Sequence, residues 1–140
     1  MNLVVDASAS VRSQIGGPSA AAVLTALADS NHVATTALHL AETCNALRKY
    51  VRAGQLTAAE ARDMIVRIQA VIHEVIPIAD NAAEAFSEAV RLDHPVHDLL
   101  YLTLARRRGA ALLTVDARLA ALAASAGVAV VDLATPTPAE

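Results

Sequence analysis

A chain of 140 residues can bury one core of its own, and its single cysteine, Cys44, excludes an internal disulfide. Apolar residues make up 55% of it but aromatics only 2%, so alanine, leucine, valine and isoleucine must build that core, and the apolar excess points to a dimer or a protein partner. A net charge of −3 excludes a broad basic nucleic-acid surface, and no uncharged apolar run approaches the roughly 20 residues that span a bilayer.

Along the chain, short β-branched runs alternate with longer Ala/Leu-rich stretches. Leu3–Val5 is predicted as a buried strand stopping at Asp6. The start Met1-Asn2-Leu3-Val4-Val5-Asp6 is too short and too acidic for a signal peptide, so the expected location is the cytoplasm. A loop follows, broken by Gly16-Gly17-Pro18, with Pro18 in the first turn of a helix over Ser19–Ala28. Val33–Thr35 is the second strand. The next helix covers Ala37–Ala53, with Gly54 ending it.

Thr57-Ala58-Ala59-Glu60 carries the capping-box pattern and opens a helix to about Ile72. Val75–Ile78 is the third strand, and Pro77 places it at a sheet edge or near a strand end. Asp80 or Asn81 caps a helix over Ala82–Arg91. Asp93-His94-Pro95 starts another, apolar nearly all round and therefore buried, closed by Gly109 after Arg108. Ala111–Val115 is a strand ending at Asp116. Ala117–Ser125 is helical, Gly127 stops it, and Val128–Leu133 is a fifth strand. The domain is expected over residues 1–133, with 134–140 a Pro-rich, loosely held tail.

This alternation predicts a single α/β domain: a mainly parallel sheet of about five short strands, flanked by helices on both faces. Right-handed crossovers put every strand's C-terminal end on one sheet edge, where open α/β folds bind ligands. Asp6 and Asp116 both fall there. Either could equally be a plain turn or helix-capping residue. Glu42 lies opposite an apolar stripe of Leu40, Cys44, Leu47 and Val51, which a solvated helix face explains, and Cys44 reads as core. Asp98 lies in a helix that should be buried, so its charge needs either the helix dipole or a cation.

Four segments, taken in order, resemble PIN domains, and within them the VapC subset. They are Val4-Val5-Asp6-Ala7-Ser8, Leu40-Ala41-Glu42-Thr43-Cys44-Asn45-Ala46-Leu47, His94-Pro95-Val96-His97-Asp98 running on to Ala105, and Gly109 to Leu119 through Thr114-Val115-Asp116. The resemblance covers Asn2 to about Leu133. It implies an endoribonuclease acting as the toxin of a toxin–antitoxin pair. Asp6, Glu42, Asp98 and Asp116 would hold Mg²⁺, or alternatively Mn²⁺. The implied partners are an RNA substrate, a cognate VapB-type antitoxin and a second copy of the chain. Ser8, Asn45 and Thr114 are implied as supporting or substrate-contacting residues. A PIN-like RNA- or protein-binding module without catalysis is the alternative, against which the intact acid set argues.

The chemistry suits those residue types, because hard divalent cations take carboxylate and water oxygens and neutralise charge on a phosphodiester. His94 and His97 beside Asp98 do not make a zinc set without further Cys or His. Arg48, Lys49 and Arg52 form a small basic face near Glu42 that reads either as solvated or as a track for an RNA backbone. Arg106-Arg107-Arg108 reads first as compensation of a helix dipole. A receiver domain would need an acidic pair after strand one and a late lysine. Asp6-Ala7-Ser8 lacks the pair, and no lysine follows Lys49. A phosphatase of the haloacid-dehalogenase type would need an aspartate where Ser8 stands.

Overall fold

The structure, a computed structural model, describes residues 1–134. The Thr135–Pro138 part of the expected tail lies outside the described residues. The elements are β1 (Asn2–Val5), α1 (Ala7–Ile15), α2 (Ala20–Asp29), β2 (His32–Thr36), α3 (Leu38–Arg52), α4 (Ala58–Ala70), β3 (Glu74–Ile76), α5 (Ala82–Leu92), α6 (Val96–Arg108), β4 (Ala111–Leu113) and α7 (Ala117–Ser125). A 3₁₀ turn over Ile78–Asp80 joins β3 to α5.

The four strands pair in parallel in the order β3-β2-β1-β4. Alternation along each strand sends side chains to opposite faces. Val4, Ala34 and Leu112 pack with Leu99, Leu102 and Leu119 of α6 and α7. Leu3, Val5, Val33, Ala111 and Leu113 face Ala9 and Val23 of α1 and α2. A third cluster, Val11, Leu47, Ala61 and Ile68, joins α1, α3 and α4. Burying strands on both faces is why their sequences are continuously apolar.

Several expectations hold in detail. Thr57 and Glu60 form the reciprocal capping box of α4. Residues Leu99 to Ala105 of α6 are all buried. Gly109 closes α6 with a left-handed backbone, φ 58°. β3 is an edge strand, and Pro77 follows it directly.

Others are corrected. The stretch after Asp6 is a helix, α1, and not a loop. Its sequence, Ala-Ser-Ala-Ser-Val-Arg-Ser-Gln-Ile, has few apolar positions and shows little helical period. Asp6 nucleates it by capping, and Gly16 ends it at φ 86°. The fifth strand reduces to one parallel bridge, Leu112 to Val130, framed by Leu112 N–H to Ala129 O and Val131 N–H to Leu112 O. Its β-branched run reaches the sheet edge but pairs at only one register position. Asn81 precedes α5 without capping it. Its buried amide donates instead to Leu100 O at 3.0 Å and Thr103 Oγ1 at 2.9 Å, tying α5 to α6.

α3 is turned from its expected face. Its buried residues are His39, Thr43 and Leu47, while Leu40 and Cys44 are exposed. Cys44 is therefore not core. The turn is explained by a polar tie: Ser10 Oγ of α1 and His39 Nε2 lie 2.8 Å apart, both buried. That bond sets α1, which begins at Asp6, against α3, which carries Glu42.

Burial holds the His39 imidazole well below its ordinary value, at about 4. Between that value and about 6.5 the unfolded chain binds the proton that the folded chain refuses, so stability falls as pH falls through this window. Urea unfolding at pH 6.5 and pH 4.5 should therefore cost the parent on the order of 2–3 kcal/mol more than His39→Gln. Equal losses in the two proteins would refute this role for His39.

Candidate active site

The chain runs β1 to β2 to β3 in one direction across the sheet, then returns so that β4 lies on the other side of β1. The strand order therefore reverses between β1 and β4, and in open α/β sheets a crevice forms past the strand ends at such a point. Asp6 follows β1, and Thr114-Val115-Asp116 follows β4. A cleft of about 330 Å³ opens here. Asp6, Ser8, Glu42, Asn45, Asp98 and Asp116 all line it, together with Lys49, His97 and Tyr101. The four acids, scattered over 111 positions of sequence, thus share one surface.

Asp6 is the most constrained of them. Its backbone N–H extends the β1–β4 pairing by donating to Leu113 O at 3.1 Å. Its carboxylate caps α1 by accepting Ala9 N–H at 2.9 Å. Ser8 Oγ donates to it at 2.8 Å, and Thr114 Oγ1 makes a short bond to Oδ2. Ser8 Oγ in turn accepts Val115 N–H, and Thr114 Oγ1 accepts Asp116 N–H. Thr114 is therefore a backing residue behind Asp6 and does not line the cleft. Burial pushes the Asp6 carboxyl up to about 6. Its hydrogen bonds to Thr114, Ala9 and Ser8 oppose that rise, and the nearby Asp116 charge adds to it.

Asp116 serves two ends at once. Its Oδ1 caps α7 through Arg118 N–H at 2.9 Å and Leu119 N–H at 3.2 Å. The side chain still borders the cleft. The capping and functional readings of this residue are thus compatible. Asp98 sits in the first turn of α6, partly exposed, with His94 Nε2 2.8 Å away on the preceding loop. His97 lies 3.9 Å from its other oxygen and is about half exposed on the cleft rim. Glu42 reaches the cleft from α3, and Asn45 stands one turn beyond it.

Tyr101 belongs to the site and escapes sequence reasoning. Its ring is buried in the core, and its hydroxyl donates to Glu42 Oε1 at 2.6 Å. Burial, then the bond to Glu42, then the Glu42 and Asp6 charges all push the phenol above its ordinary value. It therefore stays a donor at any ordinary pH. The available signal was its place three residues after Asp98 on α6, which puts both on one helix face.

The donor chemistry fits a hard divalent cation: carboxylates and a hydroxyl around an open polar cleft. In this conformation each acid is turned toward a protein partner: Asp6 to Ser8 and Thr114, Glu42 to Tyr101, Asp98 to His94, and Asp116 to its cap. Among the described residues no three acidic, imidazole or thiol side chains stand close enough to share one ion. A cation bound here would therefore require side-chain rearrangement.

A parallel sheet with an acidic crevice at its reversal point defines the class of protein. The family model described as PIN domain matches residues 3–125, and the chain belongs to that family. Ribonuclease VapC3 of Pyrobaculum aerophilum is 31% identical over 122 residues, covering 86% of this chain and 93% of that protein. The crystal structure of PAE2754 from the same organism superposes with a TM-score of 0.67 at 24% identity, over 86% of this chain and 78% of its own. Mycobacterium tuberculosis VapC20, described as a sarcin-ricin loop cleaving toxin, superposes with a TM-score of 0.70 at 21% identity, over 92% and 98%. These two structural matches bear on the fold.

Replacing Tyr101 by Phe keeps the packed ring and removes the donor to Glu42. We expect a loss of about 1.5–3 kcal/mol, the usual contribution of a hydrogen bond to a charged group. Denaturant unfolding of the parent and Tyr101→Phe measures it, and a difference below about 0.5 kcal/mol would remove Tyr101 from the site's support.

Proposed function

We propose that this chain is a divalent-cation-dependent endoribonuclease of the VapC type, the toxin of a toxin–antitoxin pair. The observation that carries the reading is the convergence of Asp6, Glu42, Asp98 and Asp116 on one cleft at the strand reversal. The relative at 31% identity is named a ribonuclease, which supports the same reading. Mg²⁺ is the proposed cation, with Mn²⁺ chemically acceptable to the same ligands.

Asp6, Asp98 and Asp116 would hold the cation, with Glu42 joining them on release from Tyr101. When bound, the cation would neutralise charge on the phosphate and lower the pKa of a water so that it can be deprotonated to the hydroxide that attacks phosphorus. The chain's own residues do the rest. Ser8 and Thr114 hold the Asp6 carboxylate in one orientation. Asp116, fixed as a helix cap through Oδ1, borders the cleft and would offer its other oxygen there. Asn45 offers an amide to a ribose or phosphate oxygen at the cleft mouth.

A cognate VapB-type antitoxin and a second copy of the chain complete the proposed partners. Phe86 and Val90, one turn apart on α5, are 61% and 68% exposed and give such a copy an apolar face. No helix among the described residues is long and apolar enough to cross a membrane, in keeping with the proposed cytoplasmic location.

Millimolar Mg²⁺ or Mn²⁺ should raise the melting temperature of the chelated protein. The shift should be larger at pH 7.5 than at pH 5, because below about 6 the cation competes with a proton on Asp6. An identical shift in Asp6→Asn, or none in the parent, would count against the cation site. Induced in a bacterium without the antitoxin, the parent should arrest growth and cleave RNA, while Asp116→Asn should lose at least about a hundredfold in cleavage rate. Arrest of equal strength in Asp116→Asn would sink the nuclease reading.

A further inference from the structure

The cations of this chain fall into two populations. On α5 and α6, every arginine is committed to an acid. Arg91 pairs with Glu88 at 2.7 Å, and Arg106 with Glu84 at 2.6 Å and Glu88 at 3.0 Å. Arg107 pairs with Glu84, and Arg108 with Glu74 at 2.8 Å. The Arg106–Arg108 triplet is thus consumed by internal pairs, beyond compensating a dipole. On α3 the pattern inverts. Arg48, Lys49 and Arg52 are exposed, and among the described residues none forms an ion pair, as is also true of Arg12, Arg62, Arg67 and Arg118 elsewhere in the fold.

Their placement is not arbitrary. Glu42, Asn45 and Lys49 follow helical spacing and all line the acid cleft. Arg52 lies one turn beyond Lys49. The row leaves the acids along α3 at 1.5 Å per residue, so the Lys49 level is about 10 Å from the Glu42 level and the Arg52 level about 15 Å. Among the described residues, Lys49 is the one full positive charge in the lining of a cleft holding four carboxylates, yet it pairs with none of them. An unpaired ammonium on the lining of this cleft is available to an external anion.

Resting on the nuclease reading, we infer that Lys49 and Arg52 form a subsite for the sugar–phosphate backbone of single-stranded RNA, engaging phosphates flanking the one presented to the acids. The chain's net charge and its acid cleft repel RNA. A short cationic row leading away from the acids offsets that repulsion where the strand leaves the cleft. Backbone contacts of this kind fix register and carry no base preference. The row therefore strengthens binding uniformly across RNA sequences.

The test is anisotropy of a fluorescein-labelled single-stranded oligouridine across a salt series in EDTA, a binding measurement that needs no cleavage. Its failure is thus distinct from failure of the nuclease reading, which Asp116→Asn tests by cleavage. Lys49→Gln and Arg52→Gln should each weaken binding several-fold. Each should flatten the slope of log K against log salt by about 0.7, the value per phosphate for a single strand. Oligoadenosine should show the same losses. Arg91→Gln, a control from the paired population, should leave the slope unchanged. All three positions are exposed, so melting temperatures should stay within about 2 °C of the parent. Unchanged affinity and slope in both α3 variants would overturn the inference, as would an equal slope change in Arg91→Gln.

Discussion

A carboxylate buried at the joint of two parallel strands is expensive unless donors surround it, and the whole site of this protein is arranged about that problem. Asp6 solves it with three donors to its carboxylate. Ala9 N–H comes from the helix it caps, Ser8 Oγ from the first turn, and Thr114 Oγ1 from the neighbouring strand, while its own N–H continues the ladder to Leu113. One residue thus terminates β1, starts α1 and locks β1 to β4. The donors do not fully offset burial and the Asp116 charge, so the carboxyl stays raised to about 6. The fold therefore holds the Asp6 carboxyl above the ordinary carboxylate range.

The remaining acids inherit their positions from that joint. Asp116 follows β4 at a distance set by Thr114, whose hydroxyl bonds both Asp6 and the Asp116 N–H. Glu42 depends on α3, and α3 is set against α1 by the buried Ser10–His39 contact. Asp98 and Tyr101 come from α6, which is wedged under the sheet by its buried run from Leu99 to Ala105. Tyr101 then returns to Glu42. The cleft is a closed loop of contacts among α1, α3, α6 and the ends of β1 and β4. The cationic row on α3 belongs to the same construction, because the rotation that brings Glu42 inward also carries Asn45 and Lys49 to the cleft.

Much of this was legible along the chain. β4 stops at Leu113, short of the expected Val115, but the strand ending at Asp6, the capping box at Thr57 and the apolar α6 all act over a few neighbouring residues. Their signal is therefore complete in the local sequence. So was the membership in a family, since four short segments in a set order are jointly specific although each alone is not. The α1 helix was not legible, because its stability comes from the Asp6 cap and from packing of Val11 and Ile15, with little help from intrinsic propensity. The face of α3 was misread for a related reason. Periodicity assumes that apolar residues are the buried ones, and here His39 and Thr43 displace Leu40 and Cys44 because a hydrogen bond to Ser10 sets the rotation.

By itself the sequence determined the α/β alternation and singled out the four acids proposed for the site, since those depend on period, punctuation and residue chemistry. Only the tertiary structure decided which faces those acids share, that Tyr101 holds Glu42, and which cations are paired internally and which are not. Such facts are pairings between residues tens of positions apart, as with Asp6 and Thr114 or Tyr101 and Glu42. No local pattern encodes them, because each exists only once the intervening chain has been closed into its loop.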